Sequence, residues 1–195
     1  MTTLVLATAN PHKTQEIRQV LSDFDIELLP RPEDVPDVDE TANTLEGNAL
    51  LKAHALAAAT GVSAIADDTG LFIDALDGAP GVYSARYAGE DATFEDNVNK
   101  VLAELEGVSP DERTARFRTV IAVANPDGSS WWVEGAVEGT ILLRRTGEHG
   151  FGYDPIFAPV GVEGRSLAEL TPAEKNALSH RGNALRAFAA KLERS

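Results

Sequence analysis

The chain has 195 residues and a formal net charge of −14, from 31 acidic and 17 basic side chains. This length is sufficient for a sizeable core, and we predict one domain over residues 1–195. The strong negative charge argues against binding to nucleic acid or to an anionic membrane. The chain contains no cysteine, which excludes disulfides and thiolate metal sites.

The beginning of the chain bears on its location in the cell. It opens directly on an apolar strand pattern, without the basic segment and apolar segment of a secretory signal. No apolar run approaches the length that is needed to cross a bilayer. We therefore expect a cytoplasmic protein with no membrane partner.

Strand and helix patterns alternate in the first part of the chain. The apolar segment TLVLAT at residues 3–8 predicts a buried first strand. Asn10-Pro11 then predicts a helix start, with Asn10 as N-cap and Pro11 at the first helical position. This helix extends to about Ser22. The next predicted elements are a strand at 26–29, an acidic loop at 31–43, and a helix at 44–60 that stops at Gly61.

The second part of the chain combines a long hairpin with further helices. Asn125-Pro126-Asp127-Gly128 is strong turn chemistry between two strand candidates. The hairpin indicates that the sheet is mixed, and the alternation of elements predicts the α/β class. The predicted elements are a Gly/Pro loop at 77–81, a helix at 93–105, strands at 115–124 and 130–137, a continuation at 138–145, a glycine-rich patch at 149–155 and a helix at about 179–193.

An acidic doublet, Asp67-Asp68, interrupts the apolar run at residues 63–73. Burying two carboxylates carries a large desolvation cost. Because side chains alternate across a strand, the two should point to opposite faces. Carboxylates placed in this way bind a hard cation, act as a base, or do both. Since Asp-Thr-Gly is also good turn chemistry, a strand that simply ends in a turn is the alternative.

The turn between the first strand and the first helix is a candidate phosphate site. A helix N-terminus presents unpaired N–H groups and the positive end of the helix dipole. Thr8 and Asn10 can donate hydrogen bonds there, and Lys13 adds a positive charge. Capped strand–turn–helix units are common, so this segment taken alone favours an ordinary structural turn over a phosphate site.

Five segments in one order resemble a known family over most of the chain, from Leu4 to Leu192. The family is that of the non-canonical purine nucleoside triphosphate pyrophosphatases, the dITP/XTP (Ham1/inosine triphosphatase) family. The segments are Thr8-x-Asn10-x-x-Lys13-x-x-Glu16, Ala66-Asp67-Asp68-Thr69-Gly70-Leu71, Gly78-x-Pro80-Gly81-x-Tyr83-Ser84-Ala85-Arg86, Phe151-Gly152-Tyr153-Asp154-Pro155 and Ser179-His180-Arg181-Gly182.

The resemblance implies both a fold and an activity. The fold would be an elongated mixed β-sheet flanked by helices, with two lobes around a central nucleotide-binding cleft. The activity would be Mg²⁺-dependent hydrolysis of dITP, ITP and XTP to the monophosphate and pyrophosphate, by a homodimer. The alternatives are a related pyrophosphatase for pyrimidine or methylated nucleotides and a catalytically silent nucleotide-binding or regulatory module of the same fold. A third, a structural or interaction protein with an acidic surface for solubility, leaves the five motifs unexplained.

The resemblance also implies roles for individual residues. Asp68 would be the catalytic base and a metal ligand, and Glu40, twelve residues before Lys52, would be the second metal ligand. Thr69 would touch the substrate. The triphosphate-binding turn would consist of Thr8, Ala9, Asn10, Pro11, His12 and Lys13, and the base and ribose would be enclosed by Phe151, Gly152, Tyr153, Asp154, Lys175, His180 and Arg181.

Two departures from the family pattern and two chemical consequences follow. Ala9 stands where glycine is frequent, which requires a turn without positive φ, and Gly47 stands where many relatives have glutamate. A carboxylate beside Asp67 and Glu40 would have a raised pKa without metal, and bound Mg²⁺ would reverse that shift. We therefore expect an alkaline pH optimum, with metal-bound hydroxide as the nucleophile. Donors from Arg181 or His180 to the 6-keto group would disfavour ATP, whose 6-amino group would leave them unpaired.

Overall fold

The computed structural model describes residues 2–194. Within that range the chain forms seven strands and five α-helices. The strands are β1 (Thr2–Leu6), β2 (Ile26–Leu29), β3 (Ala64–Ile73), β4 (Pro80–Gly81), β5 (Thr114–Ala124), β6 (Ser130–Ile141) and β7 (Phe157–Pro159). The helices are α1 (Pro11–Leu21), α2 (Leu45–Thr60), α3 (Phe94–Glu104), α4 (Pro172–Leu178) and α5 (His180–Leu192).

The strands form one mixed sheet in the order β2-β1-β3-β5-β6-β7, with β4 paired to β3. β1 is parallel to both β2 and β3. β4 is antiparallel to β3, and β7 is antiparallel to β6. The predicted α/β class, with a mixed sheet flanked by helices, is confirmed. No helix in the described part of the chain is long and apolar enough to cross a membrane.

Local sequence signals placed the elements around the acidic doublet. Asn10 is the N-cap of α1, and its side chain accepts hydrogen bonds from the N–H groups of His12 and Lys13. Gly61 ends α2 in the left-handed conformation at φ 68°. β3 continues through Asp-Thr-Gly to Ile73 without a break, so the alternative of a turn at that point is wrong.

Several element boundaries differ from those predicted. β1 ends at Leu6, two residues early, which leaves Thr8 in the following turn. β6 is continuous but ends at Ile141, so the predicted extension to Arg145 is wrong. The short elements β7 and α4 were not predicted. α4 begins with a capping box between Thr171 and Glu174, a local signal that is readable in the sequence.

The described residues divide into two compact units, each with its own core. The first unit contains residues 2–68, 119–135 and 181–194, and the second contains residues 69–118 and 136–180. Apolar residues of β1, β3, β5, α1 and α5 form the core of the first unit, including Leu6, Ile17, Ile65, Ile121 and Phe188. The core of the second unit includes Leu71, Val98, Val101, Phe117 and Phe157. The single domain over residues 1–195 and the central cleft stay predictions.

Candidate active site

The acidic doublet lies on β3 in the first unit, and both of its carboxylates are buried. Asp67 is 2% exposed and Asp68 is 5% exposed. Their ion-pair partners differ: Asp67 contacts Lys13 and Arg181, whereas Asp68 contacts Lys52. This division agrees with side chains on opposite faces of a strand, so the two neighbours have different surroundings and different chemistry.

Lys52 joins the two predicted metal ligands. Its Nζ donates to Oδ1 of Asp68 at 2.8 Å and to Oε1 of Glu40 at 2.8 Å. The other oxygen of Asp68, Oδ2, is buried and has no hydrogen-bond partner among residues 2–194. A buried carboxylate oxygen without a donor is costly, and binding a cation or a proton would remove that cost.

The surroundings of Asp68 make it a better base than an ordinary aspartate. Burial raises the pKa of Asp68, Lys52 opposes that rise, and Glu40 adds to it. The sequence predicted the direction correctly but named Asp67 as a cause. The carboxylate of Asp67 is neutralised by its own cations, so its influence on Asp68 is small. Burial would also lower the pKa of Lys52, but Asp68, Asp67 and Glu40 outweigh it and raise that pKa.

On the other face, Asp67 accepts from two cations of the first unit. Arg181 donates to its Oδ2 from Nη2 at 3.0 Å and from Nε at 3.3 Å, and the Nζ of Lys13 lies 3.1 Å from the same oxygen. Burial alone would raise the pKa of Asp67, but Lys13, Arg181 and Lys52 outweigh it and hold that pKa well below its usual range. Asp67 is therefore an ionised anchor for two cations.

Arg181 is deeply buried, at 2% exposure. Besides Asp67, its guanidinium donates to Glu16 of α1, the glutamate of the first family motif. This double pairing favours a positioning role, in which Arg181 holds α1 and β3 together, over the predicted direct contact with the base.

The predicted triphosphate turn joins β1 to α1. Oγ1 of Thr8 accepts from the N–H of Asn10 at 3.1 Å, and Oδ1 of Asn10 accepts from His12 and Lys13. These two helix N–H groups are thus already capped, while Nδ2 of Asn10 has no acceptor in the described chain. Ala9 is exposed and is not among the non-glycine residues with positive φ, so the turn forms without glycine as predicted. Pro11 and His12 are exposed in the first turn of α1.

The loop that carries Glu40 is fixed against the start of α2. Oδ1 of the fully buried Asn48 accepts from the N–H of Ala42 at 3.0 Å. A Cβ at Gly47 would lie 2.5 Å from Cβ of Ala42, closer than real side chains approach. Glycine at position 47 therefore allows the loop to approach the helix, and this explains the departure from the family pattern at that position.

The second unit contains all the residues that the resemblance assigns to the base and ribose except Arg181. Nζ of Lys175 donates to Oδ2 of Asp154 at 2.6 Å, and both side chains are buried. The same oxygen accepts from the N–H of Phe151 at 2.8 Å. Nζ of Lys175 also lies 4.9 Å from the centroid of the Phe151 ring, within the range of a cation–π contact. The ring of Phe151 is thus held by a buried ion pair.

Gly150 permits this arrangement. Its φ is +78°, and a Cβ there would lie 2.1 Å from Oδ2 of Asp154. Any side chain would displace the carboxylate that Lys175 and Phe151 share. Gly152, two residues on, also has a positive φ, of +61°, but a Cβ there would meet nothing within 4 Å.

The remaining predicted residues are buried or half-buried in the second unit. The hydroxyl of Tyr153 donates to the carbonyl of Ser84 at 2.8 Å, and burial raises the pKa of that hydroxyl. The His180 ring stacks on Phe117 with centroids 4.6 Å apart. Thr69 follows Asp68 on β3 and is half-buried. Tyr153 and His180 therefore have structural partners, and their contact with a substrate stays a prediction.

The donor set suits Mg²⁺. Residues 2–194 contain no group of three or more His, Cys, Asp or Glu arranged to hold a metal ion. Mg²⁺ is commonly bound by one or two carboxylates together with waters and substrate phosphates. Glu40 and Asp68 share Lys52, and Oδ2 of Asp68 lacks a donor. The residues present fit such an ion.

Sequence reasoning gave no role to two residues that the structure brings into this site. Lys52 is the single lysine of α2, a helix whose other positions are mostly apolar. A lone charge among apolar residues could have indicated a buried ion pair. Glu16 was quoted within a motif, but its pairing with Arg181 across 165 residues of sequence had no local signal.

Comparisons with known proteins identify the family of this chain. The model of the Ham1 family matches residues 4–191. A dITP/XTP pyrophosphatase of Oceanobacillus iheyensis is 47% identical over 188 residues, which cover 95% of each chain. The solved structure of a HAM1 protein from Coxiella burnetii is 44% identical with a TM-score of 0.90 and full coverage of both chains. The Ham1 protein of Staphylococcus aureus is 40% identical with a TM-score of 0.86 over 98% of each chain. This chain belongs to the Ham1 family.

Proposed function

We propose that this protein hydrolyses non-canonical purine nucleoside triphosphates, dITP, ITP, XTP and dXTP, to the monophosphate and pyrophosphate. The observation that carries the proposal is the buried carboxyl group of Asp68, with one oxygen held by Lys52 and the other without a donor in residues 2–194. Relatives that are 47% identical over nearly the whole chain are named dITP/XTP pyrophosphatases, which supports the substrate class.

The proposed cofactor is Mg²⁺, held by Glu40 and Asp68. Bound there together with phosphate oxygens, it supplies neutralisation of the charge on the triphosphate. A chain with a net charge of −14 repels a polyphosphate, so neutralisation is needed before the substrate can approach Asp68. Lys52 keeps the two carboxylates close together by offsetting their repulsion.

The protein's own residues position the reactants. Asp68 orients the attacking water and takes its proton, as a buried carboxylate that Lys52 holds at one oxygen. Attack at the α-phosphorus releases pyrophosphate. Lys13 and the amide Nδ2 of Asn10 bind the phosphates at the start of α1, where the helix dipole favours negative charge.

The base is bound beside Phe151. Phe151 provides an apolar ring for stacking, and the buried pair of Asp154 and Lys175 fixes its position. Discrimination against ATP then depends on donors to the 6-keto group, which hypoxanthine and xanthine present as an acceptor. A buried donor that faces the 6-amino group of adenine would remain unpaired, and this rejects the wrong base strongly.

A catalytically silent binding module is the less favoured alternative. Such a module needs no base beside the phosphates, yet this chain retains Asp68 and Glu40, both in contact with Lys52. We also infer a cytoplasmic homodimer without a nucleic-acid partner. Its substrates belong to the nucleotide pool, and its negative charge disfavours nucleic acid. Light scattering after size-exclusion chromatography tests the dimer.

The deciding experiment measures the release of pyrophosphate and of orthophosphate separately from ITP, XTP, ATP, GTP and dTTP. We expect pyrophosphate from ITP and XTP with Mg²⁺, little from the other three, and none with a chelator. Orthophosphate as the first product would mean attack at the γ-phosphorus and would contradict the mechanism. No turnover of any nucleotide would favour the silent module.

A further inference from the structure

Phe94 is a large apolar side chain that the fold leaves in solvent. It is the first residue of α3 and is 46% exposed, whereas Val98 and Val101 of the same helix are buried in the core of the second unit. The core therefore does not require an aromatic residue at position 94. Exposing this ring forgoes the hydrophobic stabilisation that burial would give.

The first turn of α3 is firmly held in place. Thr93 and Asp96 form a capping box, in which each side chain accepts from the backbone N–H of the other. Arg145 donates to the carboxylate of Glu95 at 3.1 Å and to its carbonyl at 3.2 Å, and to Oδ1 of Asn99 at 2.7 Å. These bonds fix the backbone that carries Phe94 to the segment that precedes the glycine-rich patch, within one unit.

The ring of Phe94 meets the ring of Phe151. Their centroids are 5.9 Å apart, and their planes are tilted by 45°, within the range of a favourable aromatic pair. The Phe151 backbone is held by Asp154, and Lys175 contacts its ring. The two rings form one apolar surface that is only partly covered by protein. The first turn of α3 fixes one ring, and Asp154 and Lys175 fix the other.

We propose that Phe94 is a further substrate-binding residue, which extends the aromatic surface of Phe151 so that the two rings of the purine are covered. The inference rests on the proposed function, because it takes Phe151 to be the residue on which the base stacks. A bicyclic purine has more surface than one phenyl ring covers, and an adjoining tilted ring adds contact at its edge. The interaction concerns the base alone and does not involve the phosphates.

The expected effect is on binding rather than on chemistry. Stacking of a base on an aromatic ring is worth a few kcal/mol, and a half-exposed second ring supplies part of that. For Phe94→Ala we expect the KM for ITP to rise about 3- to 10-fold, with kcat within about twofold of the original value. The inhibition constant of IMP should rise by the same factor, whereas that of pyrophosphate, which has no base, should not change.

The experiment compares four variants with the unchanged protein in the presence of Mg²⁺. Phe94→Ala removes the ring, Phe94→Leu keeps apolar volume without aromaticity, and Phe94→Tyr keeps the ring. Val160→Ala is the matched control, since Val160 is a 74% exposed apolar residue of the same unit. Steady-state kinetics on ITP, competition by IMP and by pyrophosphate, and a thermal melt are measured for each.

The inference is supported if Phe94→Ala raises the KM for ITP and the inhibition constant of IMP but not that of pyrophosphate. Phe94→Tyr should keep the original values of all three constants, and so should Val160→Ala. It is overturned if the KM for ITP and the inhibition constant of IMP for Phe94→Ala stay within twofold of those of the unchanged protein. It is also overturned if the inhibition constant of pyrophosphate rises by the same factor. If Phe94→Ala does not fold, Phe94→Leu decides by the same criteria. An unchanged protein that releases no pyrophosphate from ITP refutes the proposed function itself, and the inference with it.

Discussion

Lys52 donates from Nζ to Oδ1 of Asp68 at 2.8 Å, and this contact gives the two oxygens of one carboxyl group different surroundings. Oδ1 is held by the cation, while Oδ2 is buried without a donor in residues 2–194. The group is therefore oriented and still able to bind a metal or accept a proton.

Replacing Asp68 with Asn should abolish most turnover while leaving nucleotide binding intact. The amide cannot take a proton from water, and loss of a general base typically costs at least about 10²-fold in rate. Asp68→Asn is measured for pyrophosphate release and for binding of ITP by calorimetry, with the exposed Asp23→Asn as control. Near-normal turnover would remove Asp68 from the role of base.

Lys52→Gln should shift the acidic limb of the pH–activity profile to higher pH. The charge of Lys52 lowers the pKa of Asp68, so its removal lets burial and Glu40 raise that pKa further. Less of the basic form is then present at neutral pH, and kcat/KM falls there. The profile is recorded at fixed excess Mg²⁺ beside the surface variant Lys191→Gln, and an unmoved limb would show that Lys52 does not tune Asp68.

Arg181→Met should destabilise the fold strongly. The side chains of Arg181 and Asp67 are 2% and 0% exposed, and removing one partner of a buried pair typically costs about 3–5 kcal/mol. The exposed pair of Arg116 and Asp74 is the control, since Arg116→Met should cost less than about 1 kcal/mol. Urea unfolding measures both. Adding Asp67→Asn to Arg181→Met should recover part of the loss, and no recovery would contradict the pairing.

The two neighbouring carboxylates should affect stability with opposite signs. The pKa of Asp67 is depressed in the folded protein, so its contribution is present above the unfolded value of about 4 and is lost as the pH falls through the folded value. The pKa of Asp68 is raised, so its contribution is present below about 4 and is lost as the pH rises. At pH 7, Asp67→Asn should therefore lower the Tm and Asp68→Asn should raise it. Shifts of the same sign would refute this assignment.

Gly150→Ala should impair both stability and nucleotide binding. A Cβ at this position would lie 2.1 Å from Oδ2 of Asp154, and the residue has a φ of +78°. Gly164, with a φ of +76° and nothing within 4 Å, isolates the backbone cost, which is about 1–2 kcal/mol. Thermal melts and the KM for ITP of the two alanine variants are compared. Equal effects on both quantities would mean that the contact with Asp154 is unimportant.

Local chemistry explains why much of the fold was predictable. The cap at Asn10, the stop at Gly61 and the Asn-Pro-Asp-Gly turn act over a few residues, so the elements beside them follow from short segments. Short segments did not show that β6 ends at Ile141 or that β3 continues past Asp68 without a turn. Strand pairing decided both, because β3 and β6 end where their partners β4 and β7 pair with them.

The sequence by itself determined the family, the α/β class and the set of charged residues from which a site could be built, because motifs and periodicity are properties of the chain order. Only the tertiary structure decided which charges meet. Arg181 pairs with Asp67 across 114 residues, and Lys52 pairs with Asp68 across 16. Neither pairing has a local signal, since each depends on how a helix packs against β3. For the same reason, the structure alone revealed that Asp67 is an anchor neutralised by Lys13 and Arg181.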